Sequence, residues 1–207
     1  AETIPVPTPE INTYGLTDLG YKIFLDRYAL KDLDRKSLNV GDVVIAVLND
    51  TSDMNGKREI SVITEINADD TVSIVTQSGT PLTIRAEYID KPLEVDPAQM
   101  HKRVARGLAS VEKDDKKAEW TDKFEWLMND WKFIPGGRIL AMAGSEHNLT
   151  GFNCFVIDLP GDSRAGIIKT LSEMAEIMSR GGGVGINVSS LRPKNAYVKG
   201  VNGRSSG

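Results

Sequence analysis

Phe152-Asn153-Cys154-Phe155-Val156-Ile157, then Pro160-Gly161-Asp162-Ser163, then a helical stretch closed by Gly181-Gly182-Gly183-Val184-Gly185-Ile186-Asn187, sets out an alternation of strand, helix and strand. Cys154 to Leu159 is an apolar run of strand type. Ile167, Ile168, Leu171, Met174, Ala175 and Met178 keep helical period and predict a helix from Ala165 to Arg180, which Gly181 to Gly183 ends. Val184 to Leu191 reads as the next strand. Strand, helix and strand in this order favour a parallel α/β sheet or barrel, because parallel strands need a crossover and a helix supplies it.

The glycine cluster has the look of a phosphate loop, but it follows a helix and precedes a strand, which inverts the dinucleotide-binding order. It also lacks the last glycine of GxGxxG, and no GxxxxGK[ST] occurs anywhere. Glycines at the start of a strand let a backbone or a ligand come close, since no Cβ stands in the way. A helix C-cap followed by tight packing accounts for the same glycines. Cys154 carries two readings as well: a small buried hydrophobe at the start of a strand expected to be buried, or a reactive thiol.

Upstream, Pro135-Gly136-Gly137 is a turn, Arg138 to Met142 follows, and a loop runs from Gly144 to Gly151. Asp96 to Glu112 and Lys117 to Lys132 read as amphipathic helices; Trp120, Phe124, Leu127, Met128 and Trp131 share one broad face of the second and are expected in the core. Before them the character is β: Val40 to Leu48, Glu59 to Ile66 and Thr71 to Thr76, with turns at Asn55-Gly56, Asp69-Asp70 and Ser78-Gly79. A small antiparallel barrel or curled sheet between helical regions follows. Thr17 is a suitable N-cap for a helix ending near Leu30. The resulting division is an arm at 1–16, a helical piece at 17–36, a β insert at 37–91, helices at 92–132 and an α/β portion at 133–207.

Composition narrows the function classes. The 207 residues carry a net charge of −4, and the 25 lysines and arginines are scattered, so no electrostatic footprint for nucleic acid appears. No run approaches the roughly 18 apolar residues of a membrane helix. The Pro-rich start lacks the pattern of a secretory signal, and Cys154 is the single cysteine; together these fit a reducing cytoplasm. His101 and His147 lie in no ligand-type spacing and read as surface histidines, so no metal site is expected.

The ordered set Pro135-Gly136-Gly137-Arg138-Ile139-Leu140 through Ala143-Gly144, then Asn153-Cys154, Gly161-Asp162-Ser163, the helix, Gly182-Gly183-Val184-Gly185-Ile186-Asn187 and Leu191-Arg192-Pro193-Lys194 resembles the catalytic chains of ribonucleotide reductases. The resemblance covers Phe133 to Gly207. Leu16 to Gly20 and Phe24 to Asp32 resemble the N-terminal region of the adenosylcobalamin-dependent members. The β insert has no place in that family's common core.

The resemblance implies a ten-stranded α/β barrel, of which this chain holds the first part. In that family a thiyl radical abstracts the ribose 3′ hydrogen, and two further cysteines reduce the 2′ position and become a disulfide. Cys154 matches the first of those two, with its sulfur pointing into the barrel; thiol exchange would reset the pair. Ala143, Gly144, Asn153 and Gly183 match substrate-contacting positions, although the surroundings of Arg138 depart from the commoner Asn-Ser-Pro-Thr version. Asp162, Ser163 and Arg192 match residues that hold a deoxynucleotide effector, the arginine through its planar fork of donors. The helix 165–180 resembles the one that builds a homodimer, a contact some relatives replace with an insertion. The Val-x-Lys-Arg-Asp-Gly start of the family's ATP-binding cone is missing.

The radical cysteine and the second reductant cysteine have no counterpart here, so the resemblance implies a C-terminal reductase polypeptide as partner, from a divided gene, an intein or a cleavage. Further expected partners are a ribonucleotide substrate, a thioredoxin-like reductant and adenosylcobalamin. The other hypothesis is a non-catalytic, nucleotide-responsive or scaffold protein descended from a reductase, with the β module used for interactions.

Overall fold

Thr17 opens the first helix as the sequence suggests: its hydroxyl accepts the Gly20 N–H, and α1 runs over Asp18–Ile23. The computed structural model describes residues 12–32, 37–48, 57–147 and 149–207; the Asn55-Gly56 turn lies outside them. Its contacts divide the chain into two units, Ala1–Glu146 and His147–Gly207.

In the first unit α1 passes into a wider π turn at Phe24–Tyr28, and the chain becomes extended at Ala29. Strands follow: β1 (Lys31–Asp32), β2 (Val43–Leu48), β3 (Lys57–Ile66), β4 (Thr71–Thr76), β5 (Pro81–Arg85) and, after a 3-10 turn at Ala86–Tyr88, β6 (Ile89–Pro92). They form one antiparallel sheet in the order β1-β6-β2-β3-β4-β5. The Asp69-Asp70 and Ser78-Gly79 turns stand where expected, with Asp70 and Gly79 at positive φ. A β-bulge between Ile63 and Glu65 bends β3.

The sequence reading for this insert is a small antiparallel barrel or curled sheet, and its strands form one antiparallel sheet. Among the described residues no ladder joins the edge strands β1 and β5. Yet Val44, Ala46, Ile63, Val72, Ile74 and Ile89 are buried on one face, with Leu38, Leu48, Leu82 and Ile84 over them. All but Leu38 are strand residues, so the sheet covers this face by curling on itself. Period-2 alternation sends Ile45 and Ile60 to the opposite face, where Tyr21, Phe24, Leu25 and the next helices meet them.

Those helices are α2 (Pro97–Ala109), α3 (Lys117–Met128) and α4 (Gly137–Met142), with a 3-10 turn at Asn129–Trp131 after α3. Asp96 and Gln99 form a capping box at the start of α2. The apolar face of α3 is shallower than expected: Met128 is 1% exposed, but Trp120, Phe124 and Leu127 are half-buried and Trp131, in the turn after the helix, is 40% exposed. The helix lies across the surface of α2, so Met128 enters the core and Phe124 packs against its edge. A second correction concerns His101, which is fully buried on α2, among Tyr14 and Trp131, instead of lying at the surface. His147 is exposed.

Arg103 ties this unit together. Its Nε and Nη2 donate to Oε1 and Oε2 of Glu94, its Nη1 to the carbonyls of Leu140 and Ala143, and its Nη2 also to that of Tyr28. All five guanidinium protons are thus accounted for in a residue 3% exposed, the condition under which a buried charge is tolerated. Gly107, one turn further along α2, lets the Ala143–Gly144 turn touch the helix backbone: a Cβ there would sit 2.2 Å from the Gly144 nitrogen. These two contacts explain why the first unit extends through Glu146 where the sequence drew a boundary at 132/133.

The second unit carries β7 (Cys154–Val156), α5 (Arg164–Ser179), β8 (Gly183–Gly185), and a hairpin of β9 (Tyr197–Val198) and β10 (Gly203–Arg204). β7 and β8 pair in parallel across α5, the expected unit in shorter form than the Cys154–Leu159 and Val184–Leu191 stretches that the sequence marks as strands. With β8 alone beside it, β7 exposes Cys154, contrary to the buried strand expected, and Val156 stands 92% exposed. Ile167, Ile168, Leu171 and Met178 of α5 are exposed as well.

Candidate active site

The second unit brings Cys154, Asn153 and Gly183 together. Cys154 and Gly183 are register partners in the parallel pair, and the Gly183 N–H donates to the Asn153 carbonyl at 2.8 Å. A Cβ at position 183 would lie 3.3 Å from Cys154 Sγ, so glycine leaves one face of the thiol open. The sulfur is exposed and unpaired with any other cysteine.

The three glycines before Val184 have separate tasks. Gly181 adopts φ +77°, and with Gly182 it closes α5 in a Schellman motif: the Gly182 N–H reaches the Ile177 carbonyl and the Gly181 N–H that of Met178. A Cβ on Gly182 would fall 2.8 Å from both Ile177 and the Phe155 ring, so its absence lets the helix return onto β7. Gly183 alone faces the cysteine. Capping, packing and access, alternatives in the sequence, are here divided among adjacent residues.

At the other end of α5, Ser163 is the N-cap and accepts the Gly166 N–H at 3.0 Å. Arg192 Nε donates to both Asp162 carboxylate oxygens at 3.0 Å, and its Nη2 donates to the Asp162 carbonyl. Hydrogen bonds from Arg192 hold the Asp162 carboxyl below its ordinary range. Asp162, Ser163 and Arg192 line a cleft of about 460 Å³ with Ile168, Leu191 and Val198. Arg164 and Ser205 also line it. Sequence reasoning passed over both, although Arg164 follows directly on the capping serine. The arrangement places Arg164, the Asp162–Arg192 ion pair and a helix N-terminus beside an apolar floor, a setting for a polar or anionic group attached to a ring or sugar.

Ala143 and Gly144 belong to the first unit. Ala143 is buried, its carbonyl held by Arg103, and Gly144 is in the left-handed region with its backbone against Arg103. Among the described residues no group of three or more His, Cys, Asp or Glu side chains is placed to hold a metal ion, and no helix is long and apolar enough to cross a membrane.

Residues 82–148 match the family model for the ribonucleotide reductase all-alpha domain, and residues 152–207 that for its barrel domain. Over 112 residues, 54% of this chain and 14% of the relative, the identity to the ribonucleoside-diphosphate reductase large subunit of Variola virus is 32%. A vitamin B12-dependent ribonucleoside-diphosphate reductase of Mycobacterium tuberculosis is also 32% identical, over 108 residues, 51% of this chain and 15% of the relative. The large chain of Cryptosporidium parvum reaches 44% over 55 residues, 27% of this chain and 7% of the relative. The chain therefore spans between 7% and 15% of these relatives' lengths. With two domains of one enzyme matched in succession, and the cysteine, the glycines and the β-α-β unit inside the barrel-domain match, the chain belongs to the ribonucleotide reductase large-subunit family.

Proposed function

We propose that this chain contributes to the reduction of ribonucleotides to deoxyribonucleotides, supplying Cys154 as one of the two thiols that reduce the ribose 2′ position. The observation that carries the reading is the exposed Cys154 thiol opposite the side-chain-free Gly183, which leaves room for a sugar against the sulfur. Asn153 and Gly183, on either side of Cys154, would touch the substrate. The cleft of Asp162, Ser163 and Arg192 would hold a deoxynucleotide effector. With one cysteine in the chain, the radical cysteine and the second thiol must come from further reductase sequence, and the exposed apolar face of α5 and both sides of the β7–β8 pair offer surface for it.

Adenosylcobalamin is the proposed radical source, on the resemblance of Leu16 to Asp32 to the cobalamin-dependent members. The corrin would be held chiefly by the barrel remainder, and a thioredoxin-like protein would return electrons to the oxidised pair.

The test is reconstitution: this chain is combined with a C-terminal reductase polypeptide carrying both missing cysteines, and deoxynucleotide formation is measured with and without adenosylcobalamin. Cobalamin-dependent product that disappears with Cys154→Ser supports the proposal. Product unaffected by that substitution removes Cys154 from the chemistry, and no product under any condition favours a non-catalytic scaffold.

A further inference from the structure

The reductase reading makes no use of the most enclosed titratable ring in the first unit. His101 is 0% exposed, and among the described residues its Nε2 has no hydrogen-bond partner. Its Nδ1 lies 3.2 Å from the Tyr14 hydroxyl, which itself donates to Asn129 Oδ1 at 2.6 Å. The phenol proton being committed to Asn129, the hydroxyl accepts from Nδ1–H, which fixes the neutral tautomer with a bare lone pair on Nε2. Trp131 completes the cluster: its ring centre is 5.3 Å from His101 at 86° and 5.2 Å from Tyr14.

Two chain segments meet on this ring. One is Asn12–Leu16, anchored by Tyr14 and by the Thr13 hydroxyl on Asp96. The other is Asn129–Pro135, which begins in a turn where Asp130 and Trp131 both take left-handed conformations, at φ 54° and 57°. Neither is glycine, so this backbone persists only while its surroundings hold it. Leu16 from the first segment and Trp131, Ile134 and Pro135 from the second line an apolar cavity of about 250 Å³ against α1 and α2.

We propose that His101 is a proton-operated latch: neutral, it holds Asn12–Leu16 and Asn129–Pro135 closed over this cavity, and protonated, it releases both. Protonation places a second N–H, and a charge, where no acceptor is available to Nε2. Burial keeps the imidazole below its ordinary range; Asp96 on its own helix acts the other way and offsets this in part. Burial first, and then the carboxylates Asp130 of the turn, Asp96 and Glu125 of α3, raise the pKa of the Tyr14 phenol, so Tyr14 stays a neutral acceptor throughout. The strained turn supplies the bias to open once its ring contact is lost.

The experiment uses the whole chain with Trp120→Phe and Trp126→Phe, so that emission reports on Trp131. Emission, uptake of an apolar dye and far-ultraviolet circular dichroism are followed from about pH 8 to about pH 5. The expected result is a red shift and dye uptake that begin below pH 6.5, the ordinary histidine value, with helix signal retained. His101→Gln abolishes the transition, and Tyr14→Phe moves its onset to higher pH. An unchanged onset in His101→Gln, or opening only together with loss of helix, overturns the latch. Should His101→Gln not fold, the ring resonances of the wild-type chain decide: a His101 titration below the ordinary value, moving in step with Trp131, supports the proposal, and an ordinary titration with Trp131 unaffected refutes it.

Discussion

Arg103 grips Glu94 through two parallel hydrogen bonds, Nε to Oε1 at 2.7 Å and Nη2 to Oε2 at 3.1 Å, where neither side chain reaches solvent. The same guanidinium holds the carbonyls of Leu140 and Ala143, so it fixes where the α4 turn sits on α2.

Removing one partner of such a pair leaves the other charged, buried and short of hydrogen bonds. Arg103→Met is expected to lower the unfolding free energy by about 3–5 kcal/mol. The double variant Arg103→Met, Glu94→Leu is expected to recover part of that loss, since no charge stays behind. Chemical denaturation of both proteins and the wild type checks this; a single variant as stable as wild type would contradict it.

Gly107→Ala should destabilise, against the usual gain of about 1 kcal/mol for replacing a mid-helix glycine. The added carbon would lie 2.2 Å from the Gly144 nitrogen and 2.7 Å from the Ala143 carbonyl carbon, backbone atoms that can yield only if α2 and the turn separate. Gly200→Ala, with open space around it, serves as the control and is expected to change little. Thermal melting of the two variants separates the cases.

Thiol reactivity tests the neighbourhood of Cys154. The exposed sulfur is expected to react with an aromatic disulfide reagent in the folded chain without denaturant. Gly183→Val places carbons beside Sγ, where the first would already lie 3.3 Å away, and is expected to slow that reaction several-fold. Equal rates would mean that Gly183 does not control access.

The Asp162 carboxyl is held below its ordinary range, chiefly by the Arg192 hydrogen bonds. A depressed carboxyl stabilises the fold above its unfolded value, and that contribution disappears as pH falls through the folded value. Nuclear magnetic resonance titration should therefore find Asp162 ionised below the usual aspartate midpoint, and Arg192→Gln should return it to the ordinary range. The same substitution is expected to weaken deoxynucleotide binding to the cleft, measured by calorimetry; unaltered binding would exclude this cleft as the effector site.

Local patterns suffice to read the order of elements: the capped helix at Thr17, the antiparallel β insert, two helices, and a strand, helix and strand around Cys154. Each rests on a local rule, namely a cap, a period of two or 3.6, or a glycine stop, which a short window contains. Cys154, Gly183 and the pair Asp162 and Arg192 were legible for a related reason, since their order along the chain matched a family pattern. What depends on partners distant in sequence emerges from the packing alone. Gly181, Gly182 and Gly183 read alike in a row, but one turns the chain, one admits Phe155 and one faces a thiol. His101 reads as a surface histidine and Arg103 carries no signal of its own in the sequence; both are buried because Tyr14, Trp131, Glu94 and the end of α4 converge there. The stripe on α3 shows the converse: its period marked one face correctly, but how deep that face sinks depends on the surface beneath, which periodicity does not encode.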